Sequence, residues 1–327
     1  MPTVRQPRSG SMQYWPRKRA KRQFPRIRKF PTSNEKGLLT FAAYKVGMTH
    51  IIGVETNKNS HYKGEEISVP VTILECPPMK IAGIRLYKKI GNVLKVSKDI
   101  LLSSDKNLAR KLKLPKEIDV KKIDSIDINS YSDIRAVIYT QPSKTSIGKK
   151  KPELFEVSLG GTLQEKFNFI KENINKELFI NNFFKEGESV DLKAVTKGKG
   201  FQGPVKRFGI SIRPPKSEKA IRNPASLGPW CGQGHIMYRV AHAGKMGYHL
   251  RTEYNKQILK IINNGNEITP IGGFLSYGKV NSTIILMKGS VPGARKRIIV
   301  LQKPIRKFKT KSMPTILEID RSSKQGK

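Results

Sequence analysis

Apolar and polar positions along this chain fall into three textures. Short β-rich runs, LLTFAAYKVG, ISVPVTILEC and KIAGIRLYKK, fill 37–96 and are punctuated by Gly, Pro and Asn at a spacing that suits a barrel or a sandwich. The texture returns at Ser189–Val195, Ile268–Tyr277, Ser282–Met287 and Ile298–Gln302, which predicts a core built from discontinuous strands. Between these runs the period changes. Thr162-Leu-Gln-Glu165 has the form of a capping box, and Leu163, Phe167, Ile170 and Ile174 follow on one helical face. Asp105–Lys113 suggests a second helix and RAVIYTQ (Arg135–Gln141) a strand, so 98–188 is read as an α/β insertion in a β core. The third texture has no period: after Gly198 nearly fifty residues carry Pro and Gly at irregular intervals, a length that a compact domain tolerates only where a partner orders it.

Charge follows the same division. The 327 residues hold 63 Lys plus Arg against 25 Asp plus Glu, a net +38. A charge of that size repels itself unless a polyanion neutralises it, and nucleic acid is the expected counter-charge. The insertion is the exception, carrying 14 of the 25 acidic residues, and it is expected to face solvent. Residues 1–34 hold ten Lys or Arg and no acid, with Tyr14, Trp15, Phe24 and Phe30 interleaved. Such a tail cannot bury a core of its own; it is expected to lack a shape until it lies along phosphates with its aromatics on bases. From Lys193 to Lys260 there are 14 basic residues and only Glu218 and Glu253. Two cysteines, Cys76 and Cys231, are too few for a disulfide framework and fit a reducing compartment. No apolar run approaches a membrane span and the five prolines of the first 31 residues forbid an amphipathic transit helix, so the expected location is cytoplasmic.

Three enzyme or metal readings fail on context. Gly198-Lys-Gly200-Phe-Gln-Gly203 needs a helix opening at its third glycine and an acid some 20 residues on; Pro204 and a β-like run follow instead, and Arg222-Asn223 stands where the acid belongs. Gly273–Lys279 resembles a P-loop one residue short, with Val280 where a hydroxyl must reach magnesium, and reads as a turn between strands. Among Cys231, His235, His242 and His249 only Cys231-x-x-x-His235 has the tight spacing of a structural zinc site, and histidines in a Gly-rich basic loop suit phosphate or base contact better. Neither a metal, a cofactor nor a small-molecule substrate is expected.

The run Phe184…Asp191…Ala194, Thr196, Gly198-Lys199-Gly200, Gly203, Arg207 resembles the ribosomal protein L three family. GSMQYWPRKRA (Gly10–Ala20), LGPW (Leu227–Trp230) and GYHLRTEYNK (Gly247–Lys256) resemble the tail and central loop of its archaeal and eukaryotic type. The likeness spans about 5–310; one departure is Cys231-Gly232-Gln233-Gly234, where relatives carry a proline-containing turn after the tryptophan. The resemblance implies a mainly β fold: a translation-factor-like β-barrel (36–97, 189–206 and 258–303) with the inserted α/β domain (98–188). A basic N-terminal extension (1–35), an RNA-penetrating central loop (207–257) and a basic C-terminal tail (304–327) complete it. It implies a non-catalytic constituent of the large ribosomal subunit that binds large-subunit rRNA beside neighbouring ribosomal proteins, works early in assembly, and approaches the peptidyl transferase centre through Trp230. A free RNA or DNA architectural or chaperone protein is the second reading. The expected RNA contacts are Arg8, Trp15, Arg17, Lys18 and Arg19 in the tail, and Lys197, Gly198, Lys199, Gly200, Gly203, Lys206 and Arg207 in the stretch that leads into the loop. Arg222, Trp230, His235, His242, Lys245, His249, Arg251 and Lys256 follow along it, with Arg295, Lys296 and Arg297 nearer the C-terminus. The glycines let backbone N–H groups approach phosphates, and the cations neutralise them.

Overall fold

In the apolar run after residue 36, the two-residue β1 (Gly37–Leu38) leads into β2 (Thr40–Val54), whose first five residues are all buried. A strand covered on both faces is apolar throughout, and TFAAY meets that requirement. β2 pairs antiparallel with β3 (Glu66–Cys76), from Val54↔Glu66 to Tyr44↔Glu75. This computed structural model describes residues 8–115, 123–217, 220–224, 227–228, 234–306 and 312–323. Its chain forms two compact units: Met1–Arg22 with Val195–Arg251, and Gln23–Ala194 with Thr252–Lys327.

In the larger unit, Pro77-Pro78 ends β3, and the next strands leave its sheet. β4 (Met79–Ile90) and β5 (Val93–Leu101) form a hairpin; after the short α1 (Lys106–Ala109), β6 (Asp133–Thr140) pairs with β4, and β7 (Leu154–Gly160) with β6. The resulting five-stranded sheet has the order β1-β7-β6-β4-β5. The change of sheet therefore falls between Cys76 and Met79, well before the expected boundary at 98. The hairpin looks like more barrel in sequence because alternation marks a half-covered strand without saying which sheet covers it.

After β7 comes α2 (Leu163–Glu172), with both bonds of the capping box present: the Thr162 hydroxyl accepts from Glu165 N at 3.4 Å, and Glu165 accepts from Thr162 N at 2.9 Å. Phe167 and Ile170 are buried beneath it, while Leu163 and Ile174 pack at its margin. Replacing Thr162 with Ala should lower stability by about 1 kcal/mol, the usual worth of an N-cap, read as a smaller urea midpoint at unchanged slope.

The chain then returns to the first sheet through β8 (Ser189–Val195), runs through β9 (Phe201–Gln202), α3 (Pro204–Phe208) and β10 (Gly244–Lys245), and continues as β11 (Leu250–Ile262). β12 (Thr283–Lys288), β13 (Ile298–Gln302) and β14 (Thr315–Ile319) complete the order β13-β8-β11-β12-β3-β2-β14. β13 also pairs with β2, from Ile298↔Tyr44 to Gln302↔Thr40, so six strands close a ring and β14 extends it along the far half of β2. Ile73, Leu259, Ile284 and Leu286 in one cluster, and Leu74, Ile285, Val300 and Leu301 in another, are fully buried. The expected strand Ile268–Tyr277 is absent. Pro270 and Gly272-Gly273 interrupt the ladder, and residues 273–278 form a tight turn closed by a Phe274–Gly278 bridge, the turn expected for the P-loop-like stretch.

Two buried carboxylates hold loops to this core. Glu75 accepts from the Tyr277 hydroxyl and from the N–H groups of Asn281 and Ser282, both at 3.0 Å. Asp191 accepts from Asn255 N at 2.9 Å and Ile305 N at 3.1 Å. The second half of the N-terminal extension also belongs here. Phe24 is buried 5.0 Å from the Phe155 ring, Phe30 lies under the Arg135 guanidinium at 4.3 Å, and Lys193 Nζ donates to Lys29 O at 2.9 Å. Two of the four tail aromatics expected on bases are thus spent on the protein's own packing.

Candidate nucleic-acid interface

The smaller unit joins the first part of the tail to the central loop. Within it, Lys199 N donates to Met246 O at 3.0 Å and Met246 N returns to Gly200 O at 2.9 Å, opening the β9–β10 ribbon in which Gln202 faces Gly244. Gly200 has φ +68°, the left-handed region that favours glycine, and Gly247 at φ +76° would place a Cβ 2.0 Å from Lys197 O. Gly198 and Gly203 differ: a Cβ on either would meet ordinary contact or nothing within 4 Å, so the protein's own packing does not demand glycine there. Their outward faces are open, as close approach by an external backbone requires.

A helix does open at the third glycine. Gly203 is its N-cap, Pro204 takes the first helical position, and Gly209 at φ +69° ends it. The expectation of no helix misread Pro204, whose fixed φ and missing N–H suit that position. The helix spans only Pro204–Phe208, it follows a two-residue antiparallel ribbon, and Arg222-Asn223 still replaces the acid, so the dinucleotide reading stays rejected.

The tail is seated on this loop by an aromatic cluster. Phe208, buried, lies 5.6 Å from the Trp15 ring, and Trp15 meets Tyr238 edge-on at 6.5 Å. Arg17 sits over Phe208 at 4.3 Å and donates to Arg207 O at 3.0 Å, while the Arg207 guanidinium lies 4.8 Å from the same ring and donates to His242 O and Lys245 O. Ala20 N donates to Tyr248 O at 2.8 Å, and His249 Nδ1 meets Lys18 O at the same distance. Residues 8–22 are therefore packed, contrary to the expectation of a shapeless tail: they lack a core of their own but share one with the loop.

The expected contacts divide accordingly. Lys18, Arg19, Lys197, Lys199, Lys206, Arg222, His235 and Lys245 are exposed, Arg19 over Tyr248 at 5.3 Å. Arg8 is exposed and donates to Arg239 O. Trp15, Arg17, Arg207, His242 and Arg251 are half-buried, Arg251 over Tyr14 at 4.8 Å. His249 is 7% exposed with its ring committed to Lys18 O, so it positions the tail rather than presenting itself as a contact. Trp230 and Cys231 lie outside the described residues. The larger unit carries Lys256, already paired with Glu253 at 3.1 Å, and the loop between β12 and β13 with exposed Arg295 and Lys296 and half-buried Arg297. Two exposed aromatics escaped the sequence reading, Phe201 at 73% and Tyr238 at 75%. Each neighbours a cation, Lys199 or Arg239, the same signal that singled out Trp15.

Electrostatics are one-sided. Met1–Arg22 and Val195–Arg251 hold 18 Lys or Arg and one acid, Glu218, and no ion pair occurs among the described residues of this unit. Burial lowers the pKa of Arg17 from its ordinary value, and the positive charges of Arg207 and Arg251 lower it further. A surface of crowded cations, exposed aromatics and open glycines marks this unit as a basic polyanion-binding scaffold.

The chain belongs to the family described as Ribosomal protein L3, whose model matches residues 1–326. It is similar to the Large ribosomal subunit protein uL3 of Methanothermobacter thermautotrophicus, 46% identical over 98% of each chain. Its similarity to the proteins of that name is 45% identity over 99% of each chain for Methanocaldococcus jannaschii and 43% over 98% for Archaeoglobus fulgidus.

Proposed function

We propose that this chain is a structural constituent of the large ribosomal subunit, partnered by large-subunit rRNA and neighbouring ribosomal proteins, and that it catalyses nothing. The observation that carries the reading is the smaller unit, where 18 cations face one acid and exposed aromatics stand among them. The cations displace counterions from phosphates and the aromatics offer stacking faces. Whole-length similarity to archaeal uL3 proteins supports the same assignment. The finer roles are early subunit assembly and shaping the surroundings of the peptidyl transferase centre, the latter through the segment that carries Trp230. The place of work is the cytoplasmic ribosome; among the described residues no helix is long and apolar enough to cross a membrane.

A free architectural nucleic-acid protein is the alternative, and the near-neutral segment 98–188 weighs against it, since a free binder gains little from a polarised appendage. Sucrose-gradient sedimentation separates the two. The chain is expected in the large-subunit fraction at physiological salt; finding most of it at the top of the gradient would reject the ribosomal reading.

A further inference from the structure

Three guanidiniums of the smaller unit are gathered without a counter-ion. Arg17 and Arg207 share the Phe208 ring, at 4.3 and 4.8 Å, and the Arg17 side chain is tied to the Arg207 carbonyl. Arg251, fixed by its bond to Leu250 O at 2.9 Å, sits 4.8 Å from the ring of Tyr14, in the same stretch of tail as Arg17. Protein folds gather like charges only where something else repays the repulsion, and here no described carboxylate does.

The hydrogen bonding points the same way. Trp15 Nε1 and Arg17 Nε are buried with no acceptor, although both groups can only donate. Buried donors without acceptors are rare and costly, and a corner holding two of them beside three cations lacks acceptor atoms and negative charge together. A phosphate supplies both, and the planar guanidinium fork matches its oxygens.

We propose that Arg17, Arg207 and Arg251 form one site for a backbone phosphate of RNA, so that a single phosphodiester is held jointly by the tail and the loop. The proposal rests on the rRNA-binding reading and deepens it. Its consequence is coupling: a phosphate bound there fastens the tail to the loop, and by reciprocity a docked tail raises affinity for the phosphate.

The test uses the full chain carrying Trp230→Phe, which leaves Trp15 as the sole tryptophan, titrated with inorganic phosphate against sodium chloride at matched ionic strength. Trp15 fluorescence is expected to change saturably with phosphate only, and Arg17→Gln with Arg207→Gln should weaken the response at least about tenfold. Arg251→Gln alone, which leaves the Phe208 cluster intact, should weaken it as well. Equal responses to phosphate and chloride, or an undiminished response in Arg251→Gln, would overturn the site. Filter binding to purified large-subunit rRNA runs alongside. Retained rRNA binding without a phosphate-specific response sinks this site alone, whereas loss of rRNA binding by the unaltered chain sinks the functional reading beneath it.

Discussion

Replacing Phe208 with Ala releases the tail from the loop, and trypsin then cleaves at Arg17, Lys18, Arg19, Lys21 and Arg22 in the RNA-free protein far faster than in the parent chain. Phe208 is buried beneath Trp15 and two guanidiniums, and truncating a buried aromatic costs about 3–5 kcal/mol. The tail's other holds on the loop are individually weaker: the Ala20–Tyr248 backbone bond, the Lys18 carbonyl on His249, the Arg17–Arg207 bond, Arg8 on Arg239, and the ring contacts of Trp15 with Tyr238, Arg251 with Tyr14 and Arg19 with Tyr248. Removing the central ring exposes the cations to one another with less apolar contact to hold them, so opening becomes the favoured state of the free protein. Digestion followed by mass spectrometry reads it directly. Equal cleavage rates in the two proteins would show that Phe208 does not anchor the tail.

The second large effect lies in the β ring. Glu75→Ala removes the acceptor of the Tyr277 hydroxyl and of two backbone N–H groups, and each orphaned donor costs about 1–3 kcal/mol, so the fold should lose at least about 3 kcal/mol. Glu75→Gln keeps an acceptor oxygen and behaves differently with pH. Burial raises the Glu75 pKa above the ordinary carboxylate value, against the lowering pull of its three donors. Folded Glu75 therefore holds its proton more tightly than unfolded Glu75 does. Its contribution is complete below the unfolded pKa and is lost as pH rises through the folded one. Urea unfolding from about pH 4 to about pH 8 should show Glu75→Gln gaining on the parent chain as pH rises. A gap independent of pH would mean that Glu75 titrates as an ordinary exposed carboxylate.

Much of this architecture was legible before any coordinates. Ser189–Val195 and Ile298–Gln302 match β8 and β13 end to end, because each is a short apolar run closed by polar or glycine-rich stretches. The capping box at Thr162 located α2, since its two reciprocal bonds need only local sequence. Sheet membership was not legible: β4 and β5 have barrel-like alternation yet pair with β6 and each other, a choice made by partners distant in sequence. The same limit hid the tail's docking. Arg17 meets Arg207 across 190 positions, and nothing near either residue marks the other as its partner. Pro204 misled for a different reason, being a helix breaker everywhere except the first turn, where it stands. The basic character of the site was plain from composition, because charge needs no geometry to be counted. Which cations are exposed, which are paired like Lys256 and which are stacked like Arg17 and Arg207 depends on the folded chain.

On the function proposed, the tail-and-loop unit, and not the five-stranded sheet, is the face given to RNA. Ultraviolet crosslinking of intact large subunits, with the attached peptides identified by mass spectrometry, measures it without altering the chain. Crosslinked peptides should concentrate in residues 8–22 and 197–251, with Phe201 and Tyr238 among the modified side chains. Crosslinks gathered instead on the β4–β5 hairpin and α2, with the tail and loop unmarked, would contradict it.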